Sequence, residues 1–476
     1  MKWSWLAFAF AVWGCSVPRG GLSPFDDGDG GVDAARDTSV DVPGVDAPGV
    51  DAPGVDAPGV DAPGVDAPGD APGADSGCGA IGVRSCDGET LRECTPAGLT
   101  DIRDCLRGCA SGTCNAYDVR NVNMDRLLHV GTAALIVTSG DTVTLNTDDG
   151  TIEDGTGRTR RMAGVGINNG ISYERQAQAG APGLGIFSVD SLVIEAGGTL
   201  VATGSDVPVI LVGGDAVIDG TIDVSASGRL GGIGGFDGGG RDNDGGGGNA
   251  GGEVGGRDGT SLGGGGGGGH AGSGGDGGDD GSGSGGNGGA VIDDPGGTPL
   301  VGGGGGGGSP SILDNGSHGG GGGGAVQVSA GTSLAVGSTG IVRASGDGGD
   351  AGWSSGGGGG AGGSIVLQAP TIDIAGIVVA NGGGGGGGQP AVLEAATPGE
   401  NGRDDTDRAR GGDGPGGGKN GGPGGAVSDL SGGDGQDGGP AGGGGGAAGR
   451  VSFYSDSGGL SESGTVSPDA FTGTIP

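Results

Sequence analysis

Aromatic side chains are nearly absent: 7 Phe, 3 Tyr and 4 Trp in 476 residues, with Trp3, Trp5 and Trp13 crowded into the first thirteen. A conventional large core is thereby excluded. Histidine is scarcer still, and His129, His270 and His318 are too few and too scattered for most metal or acid–base constellations. Basic residues number 22 against 58 acidic ones, a net charge of −36, which speaks against binding to phosphate backbones. No nucleic-acid partner is expected. What the chain has in abundance is glycine, 137 residues, together with 23 prolines. Composition of this kind points to low complexity rather than to two or three ordinary domains.

The first segment, MKWSWLAFAFAVWGC, sets one basic residue, Lys2, before an apolar run from Trp3 to Trp13. That run is too short to span a bilayer but suits the core of a signal peptide. Val12-Trp13-Gly14-Cys15 resembles the lipobox of bacterial lipoproteins, with Trp13 where a small residue is usual. The resemblance implies diacylglyceryl transfer to the Cys15 thiol and cleavage before it. An ordinary secreted leader with a leftover cysteine is the competing reading. Two acyl chains anchor stably where one is marginal.

From Gly44 to Gly73 the chain repeats Pro-Gly-Val-Asp-Ala. Each unit offers one Val for burial and one Asp to repel its neighbours, so ordering entropy is not recovered. The expectation is an extended acidic linker, either a spacer that lifts the remainder off a membrane or a drifting repeat of no required length.

Six cysteines follow in 37 residues: Cys78, Cys86, Cys94, Cys105, Cys109 and Cys114. An even count in a short, apolar-poor segment behind an export signal reads as three disulfides, whose pairing the spacing leaves open. A zinc site is disfavoured because no Cys-x-x-Cys pair and no nearby His is present. The pattern Cys-Asp-Gly-Glu-Thr-Leu-Arg-Glu-Cys, then Leu-Arg-Gly-Cys-Ala-Ser-Gly-Thr-Cys, resembles Cys-rich modules of myxobacterial surface proteins.

Beyond about Ala116, short apolar runs alternate with glycine tracts. Gly323–Ala330, Leu334–Val336 and Gly340–Gly346 form one unit; Gly362–Ala369, Ile372–Ile374 and Gly376–Gly382 form the next. Val217–Gly228 and Gly449–Ser455 are further copies, and Leu127–Leu145 and Val189–Val201 are additional candidates. Three short period-2 runs per unit suit one rung of a parallel β-helix, and rungs must stack to bury their apolar faces. A β-sandwich is the rival. The all-glycine tracts Gly263–Gly269, Gly302–Gly308, Gly319–Gly324, Gly356–Gly360, Gly382–Gly388 and Gly442–Gly446 fall between units. Because glycine loses the most entropy on ordering, flexible loops are expected there, with packed polyproline II strands as the alternative. Such glycine-rich stretches resemble exported glycine-rich proteins of myxobacteria, which implies a surface location and no chemistry.

Chemical motifs are few. Gly274–Asp279 and Gly432–Asp437 open like the calcium-binding nonapeptide of RTX toxins, but Gly281 and Gly439 stand where an aliphatic residue is required. Arg158-Thr159-Arg160-Arg161 near Glu153 and Asp154 is the richest candidate for a β-helix polysaccharide-degrading enzyme and reads instead as surface charge balance. His270 and His318 lie in glycine tracts, with nothing in the adjacent sequence to hold their rings.

The expected fold is therefore all-β: a parallel β-helix-like solenoid with glycine-rich insertions, preceded by a disordered linker and a small disulfide-rich module. The boundaries are a signal peptide at 1–14, a lipidated linker at 15–77, the Cys-rich module at 78–114 and the solenoid region at 115–476. The expected role is structural or adhesive display by an exported protein, lipid-anchored at the outer membrane or cell surface, contacting extracellular polysaccharide or other cells. No catalytic residue, cofactor or metal is expected. The alternatives are the β-helix enzyme and a binding module acting through the Cys-rich segment.

Overall fold

The computed structural model describes residues 80–88, 90–104, 109–110, 112–114, 119–124, 131–294, 296–312, 315–390, 395–427 and 429–475. All of them belong to one compact unit running from Pro72 to Pro476. The signal segment, Cys15, the linker, Cys78, Cys105 and His129 lie outside the described residues.

In the Cys-rich stretch, strands Arg84–Asp87, Thr90–Thr95 and Gly98–Asp104 pair antiparallel in that order. A second hairpin sets Cys109 opposite Cys114. Leu91 and Cys94 are buried, and Cys86 and Cys94 each take part in a disulfide.

The larger part is all-β and built on three sheets whose strands are mostly parallel. The chain visits them in a fixed order. Leu184–Val189 lies in the first sheet, Leu192–Ile194 in the second and Thr199–Thr203 in the third; Val207–Val212, Ala216–Ile218 and Thr221–Asp223 then repeat the circuit one step on. Ala325–Ala330, Ser333–Val336 and Ile341–Arg343 follow, then Ser364–Gln368, Thr371–Ile374 and Ile377–Val379, then Arg450–Ser455, Leu460–Glu462 and Thr465–Ser467. Leu135–Val137 and Thr142–Asn146 precede them in the second and third sheets, and Phe471–Thr474 ends the first.

The register explains the apolar spacing. Phe187, Ile210, Val328, Leu367 and Phe453 stack in one inward column of the first sheet. Val137, Ile194, Ile218, Val336 and Ile374 stack in the second, and Val143, Leu200, Ile222, Val342 and Val378 in the third. All belong to one buried cluster, which includes the repeat positions Val326, Val328, Ile365, Leu367, Ile372 and Ile374. In the second and third sheets alternate residues face outward, so those strands show a period of two. The middle strands of the first sheet are buried on both faces, because Val119, Val122 and Leu300 cover its outer side around Val209, Val366 and Tyr454. Its strands accordingly read as continuous apolar runs such as Val-Pro-Val-Ile-Leu-Val at Val207–Val212.

The long glycine segments leave the coil after a third-sheet strand and return to a first-sheet strand, spanning 224–324, 344–363 and 380–449. They are not loose loops. All six tracts are buried, side by side, and bonded through their backbones. In Gly263–Gly269 the N–H groups of Gly264 and Gly267 donate to Gly278 and Gly275; those of Gly265 and Gly268 donate to Gly356 and Gly359; those of Gly266 and Gly269 donate to Glu253 and Ala250. Every third residue therefore addresses the same neighbour, the signature of a threefold polyproline II helix. Gly302–Gly308 does likewise: Gly303 and Gly306 bond Gly323 and Gly320, and Gly304 and Gly307 bond Gly269 and Gly266.

The expectation of flexible insertions is thus corrected. Its entropy argument was incomplete: each ordered glycine gains a buried hydrogen bond, and the tracts can approach closely enough to make them only without side chains. A Cβ on Gly358 would stand 1.9 Å from the Gly266 carbonyl oxygen, and one on Gly267 equally close to that of Gly445. Toward the rim the pattern changes to two glycines and one other residue. Ser273, Asp276 and Asp279 face solvent at every third position, as do Ser284, Asn287 and Ala290.

Candidate functional site

The coil and the glycine bundle meet at a buried polar cluster. His270 ends the first all-glycine tract, Asp294 lies later in the same excursion, Ser364 begins a first-sheet strand and Arg450 begins another. His270 and Asp294 are fully buried. The His270 Nε2 is 3.0 Å from the Asp294 Oδ2, and its Nδ1 is 2.7 Å from the Gly362 carbonyl oxygen. Arg450 donates through Nε to the Asp294 Oδ1 and through Nη2 to the Ile292 carbonyl, 3.0 Å away. The Ser364 hydroxyl donates to the Asp294 Oδ2 at 3.4 Å and lies 3.4 Å from His270 Nε2.

Serine, histidine and aspartate are the residue types of a nucleophilic triad, but the arrangement is different. A triad needs one ring nitrogen on the acid and the other free to take the serine proton. Here the second nitrogen is engaged by a backbone carbonyl, and Nε2 faces both the acid and the serine. Ser364 is itself fully buried. The cluster fastens two parts of the molecule together. The expectation that nothing holds the His270 ring is overturned: its partners come from 24, 92 and 94 residues away. His318 is held as well, its Nδ1 lying 3.0 Å from the Asp350 Oδ2 on the exposed rim.

The arginine-rich run is likewise corrected in part. Arg161 is fully buried at the start of the coil and meets backbone carbonyls only: Nε donates to Ile171, Nη1 to Gly150 and Met162, and Nη2 to Gly164 and Gly166, over 2.6–3.1 Å. Burial pushes its guanidinium below the ordinary arginine value. Its guanidinium carbon lies 5.3 Å from the centre of the Tyr173 ring. Arg160 keeps the expected role of charge balance, with Nη2 2.5 Å from Asp141 and Nε 3.5 Å from Asp154. Arg161 is a plug for the end of the apolar interior.

The two segments resembling the calcium nonapeptide lie next to each other. The amide of Asp276 donates to the Asp434 Oδ1 and that of Asp279 to the Asp437 Oδ1, both at 2.9 Å. Gly288 and Gly285 donate in turn to Asp276 and Asp279, at 2.8 and 2.7 Å. These carboxylates accept from backbone, as rungs of a lateral ladder. Among the described residues no group of three or more His, Cys, Asp or Glu is gathered for a metal ion. Asp347, like Asp294, departs from the exposed acids: buried among glycines, it accepts from the amides of Gly228 and Gly348, and desolvation raises its carboxyl above the ordinary 3.8.

No protein-family model matches the chain, and no curated protein or solved structure matches it either.

Proposed function

We propose that this chain is an exported bacterial lipoprotein with a structural or adhesive role in the cell envelope, akin to the glycine-rich, Cys-rich surface lipoproteins of myxobacteria. In this reading Cys15 carries the lipid, the acidic repeat to residue 77 is a spacer, and the cysteines from Cys78 to Cys114 close as three bridges. The three-sheet coil is a β-helix-like solenoid that carries the glycine bundle outward.

The observation that supports it best is the bundle itself. Six buried all-glycine tracts, cross-bonded through their backbones, make a stiff body whose rim presents polar third-position residues at regular intervals. That is a construction for extent and rigidity. Membrane localisation and surface contact follow from the leader and the tether, and no catalytic role is assigned.

Deleting the gene tests the role: adhesion or cohesion between cells should fall, and unchanged adhesion would refute it. The anchor is tested by Cys15→Ala, which should move the protein out of the detergent phase and abolish fatty-acid labelling. Non-reducing mass mapping should find no free thiol among Cys78, Cys86, Cys94, Cys105, Cys109 and Cys114, and two alkylatable cysteines would break the three-bridge assignment.

A further inference from the structure

A groove of about 180 Å³ opens where the far end of the first sheet meets the glycine bundle. Phe471, Leu430, Arg450, Ser452 and Asp469 contribute its working surface. Three observations set it apart. Phe471 is 53% exposed and Leu430 41%, although both are side chains that ordinarily seek burial. Ser452, one of the lining residues, is only 1% exposed, and its buried hydroxyl has no hydrogen-bond partner. An unmet buried hydroxyl costs free energy unless something arrives to satisfy it. Finally, Arg450 uses Nε and Nη2 on Asp294 and Ile292, which leaves Nη1 for another acceptor.

The register gathers these groups. Ser452 pairs with Phe471 across adjacent strands, so hydroxyl and ring stand together on the outer face, and Arg450 lies two residues earlier on the same face. The Tyr454 ring backs Phe471 with its centroid 5.9 Å away. An aromatic face beside a cationic donor, a hydroxyl and a carboxylate matches a molecule with one apolar face and a rim of hydroxyls. Asp469 in the groove and the chain's net charge of −36 disfavour an anion.

We propose that this groove binds one ring of a neutral polysaccharide, resting on the adhesive reading above. The sugar's C–H face lies on Phe471 and Leu430, its hydroxyl oxygens accept from Arg450 Nη1 and the Ser452 Oγ, and another hydroxyl donates to Asp469.

Saturation-transfer NMR on the full-length protein in detergent, with cellotriose, maltotriose, chitotriose and trigalacturonate as probes, tests the proposal. At least one neutral trisaccharide should bind, with Kd on the order of 1 mM. Phe471→Leu keeps the apolar bulk and removes the ring, and should weaken binding about fivefold; Asp469→Asn should weaken it too, with thermal unfolding unchanged in both. No transfer to any neutral probe, binding of trigalacturonate alone, or undiminished affinity in both variants would overturn the groove's assignment. In cells, lost adhesion on gene deletion with full adhesion in the Phe471→Leu strain overturns the groove alone. Unchanged adhesion on deletion overturns the display role, whatever the titration gives.

Discussion

The coil and the glycine bundle solve one problem with opposite materials. In the coil, Val, Ile and Leu columns exclude water and the backbone bonds run between strands at the periphery of that core. In the bundle the interior is backbone, and the excluded component is the side chain. The coil tolerates changes of shape among apolar residues and is vulnerable to charge. The bundle has no side-chain contacts to lose at its centre and is vulnerable to a single methyl group. A low-complexity stretch can therefore be highly ordered, provided its neighbours are equally bare.

The experiments that press on that contrast run from the largest expected effect to the smallest. Ile374→Asp puts an unpaired carboxylate into the coil's second-sheet column and should cost several kcal/mol, enough to unfold the coil cooperatively in a calorimetric scan. Deleting Gly383–Gly385 removes one helical turn whose amides bond Gly360, Glu400 and Gly422. At about 1 kcal/mol per lost bond and about 1–3 for each carbonyl left bare, it should also lower the melting temperature severely. A melt unchanged by this deletion would return the tract to the status of a loop.

Asp294→Ala strips both His270 and Arg450 of their buried partner and should cost about 3–5 kcal/mol. If coil and bundle then melt in two separate steps, the cluster is the fastening between them; a single lowered transition places their cooperativity elsewhere. Gly358→Ala adds one methyl against the Gly266 carbonyl and should cost about 1–3 kcal/mol. In the coil, by comparison, removing a methyl by Ile372→Val should cost about 1 kcal/mol.

The smallest effect is electrostatic. Because the Asp347 carboxyl is raised by burial, its contribution is full below the ordinary value of 3.8 and declines as pH rises through the folded-state value. The cost of Asp347→Asn, measured by urea melts, should consequently be greater at pH 3.5 than at pH 6. A cost that grows with pH instead would show that the ionised form is the one the glycines favour.

Much of the coil was legible in the sequence, because burial on one face leaves a period of two, as at Thr371–Ile374, and pairing equivalent runs such as Val326-Gln327-Val328 with Ile365-Val366-Leu367 yields the register directly. The bundle was not, since propensity treats glycine as disorder and takes no account of what stands beside it. One signal was available: Gly-Gly-Asp-Gly-Gly-Asp at Gly274–Asp279 has a period of three, as a threefold helix with one wet face requires. The His270 cluster left no local trace, because its partners arrive from distant points of the chain. Arg161 misled for a related reason. Five carbonyls from neighbouring turns satisfy it, while the nearby Glu153 and Asp154 suggested a charge pair that Arg160, not Arg161, makes.

The bareness of the tracts has a consequence for how they find their places. Within Gly382–Gly388 every residue is identical, and sliding the segment by one helical turn, roughly 9 Å, restores most of its hydrogen bonds. The interior cannot distinguish the native alignment from its slipped copies. That information sits at the tract ends, where His270 follows Gly269, Ser309 follows Gly308, Gln389 follows Gly388 and Ala447 follows Gly446. The Ser309 hydroxyl, which donates to the Ser355 carbonyl at 3.1 Å, and the His270 ring act as stops on a scale with no graduations between them. In this molecule punctuation, rather than text, carries the alignment.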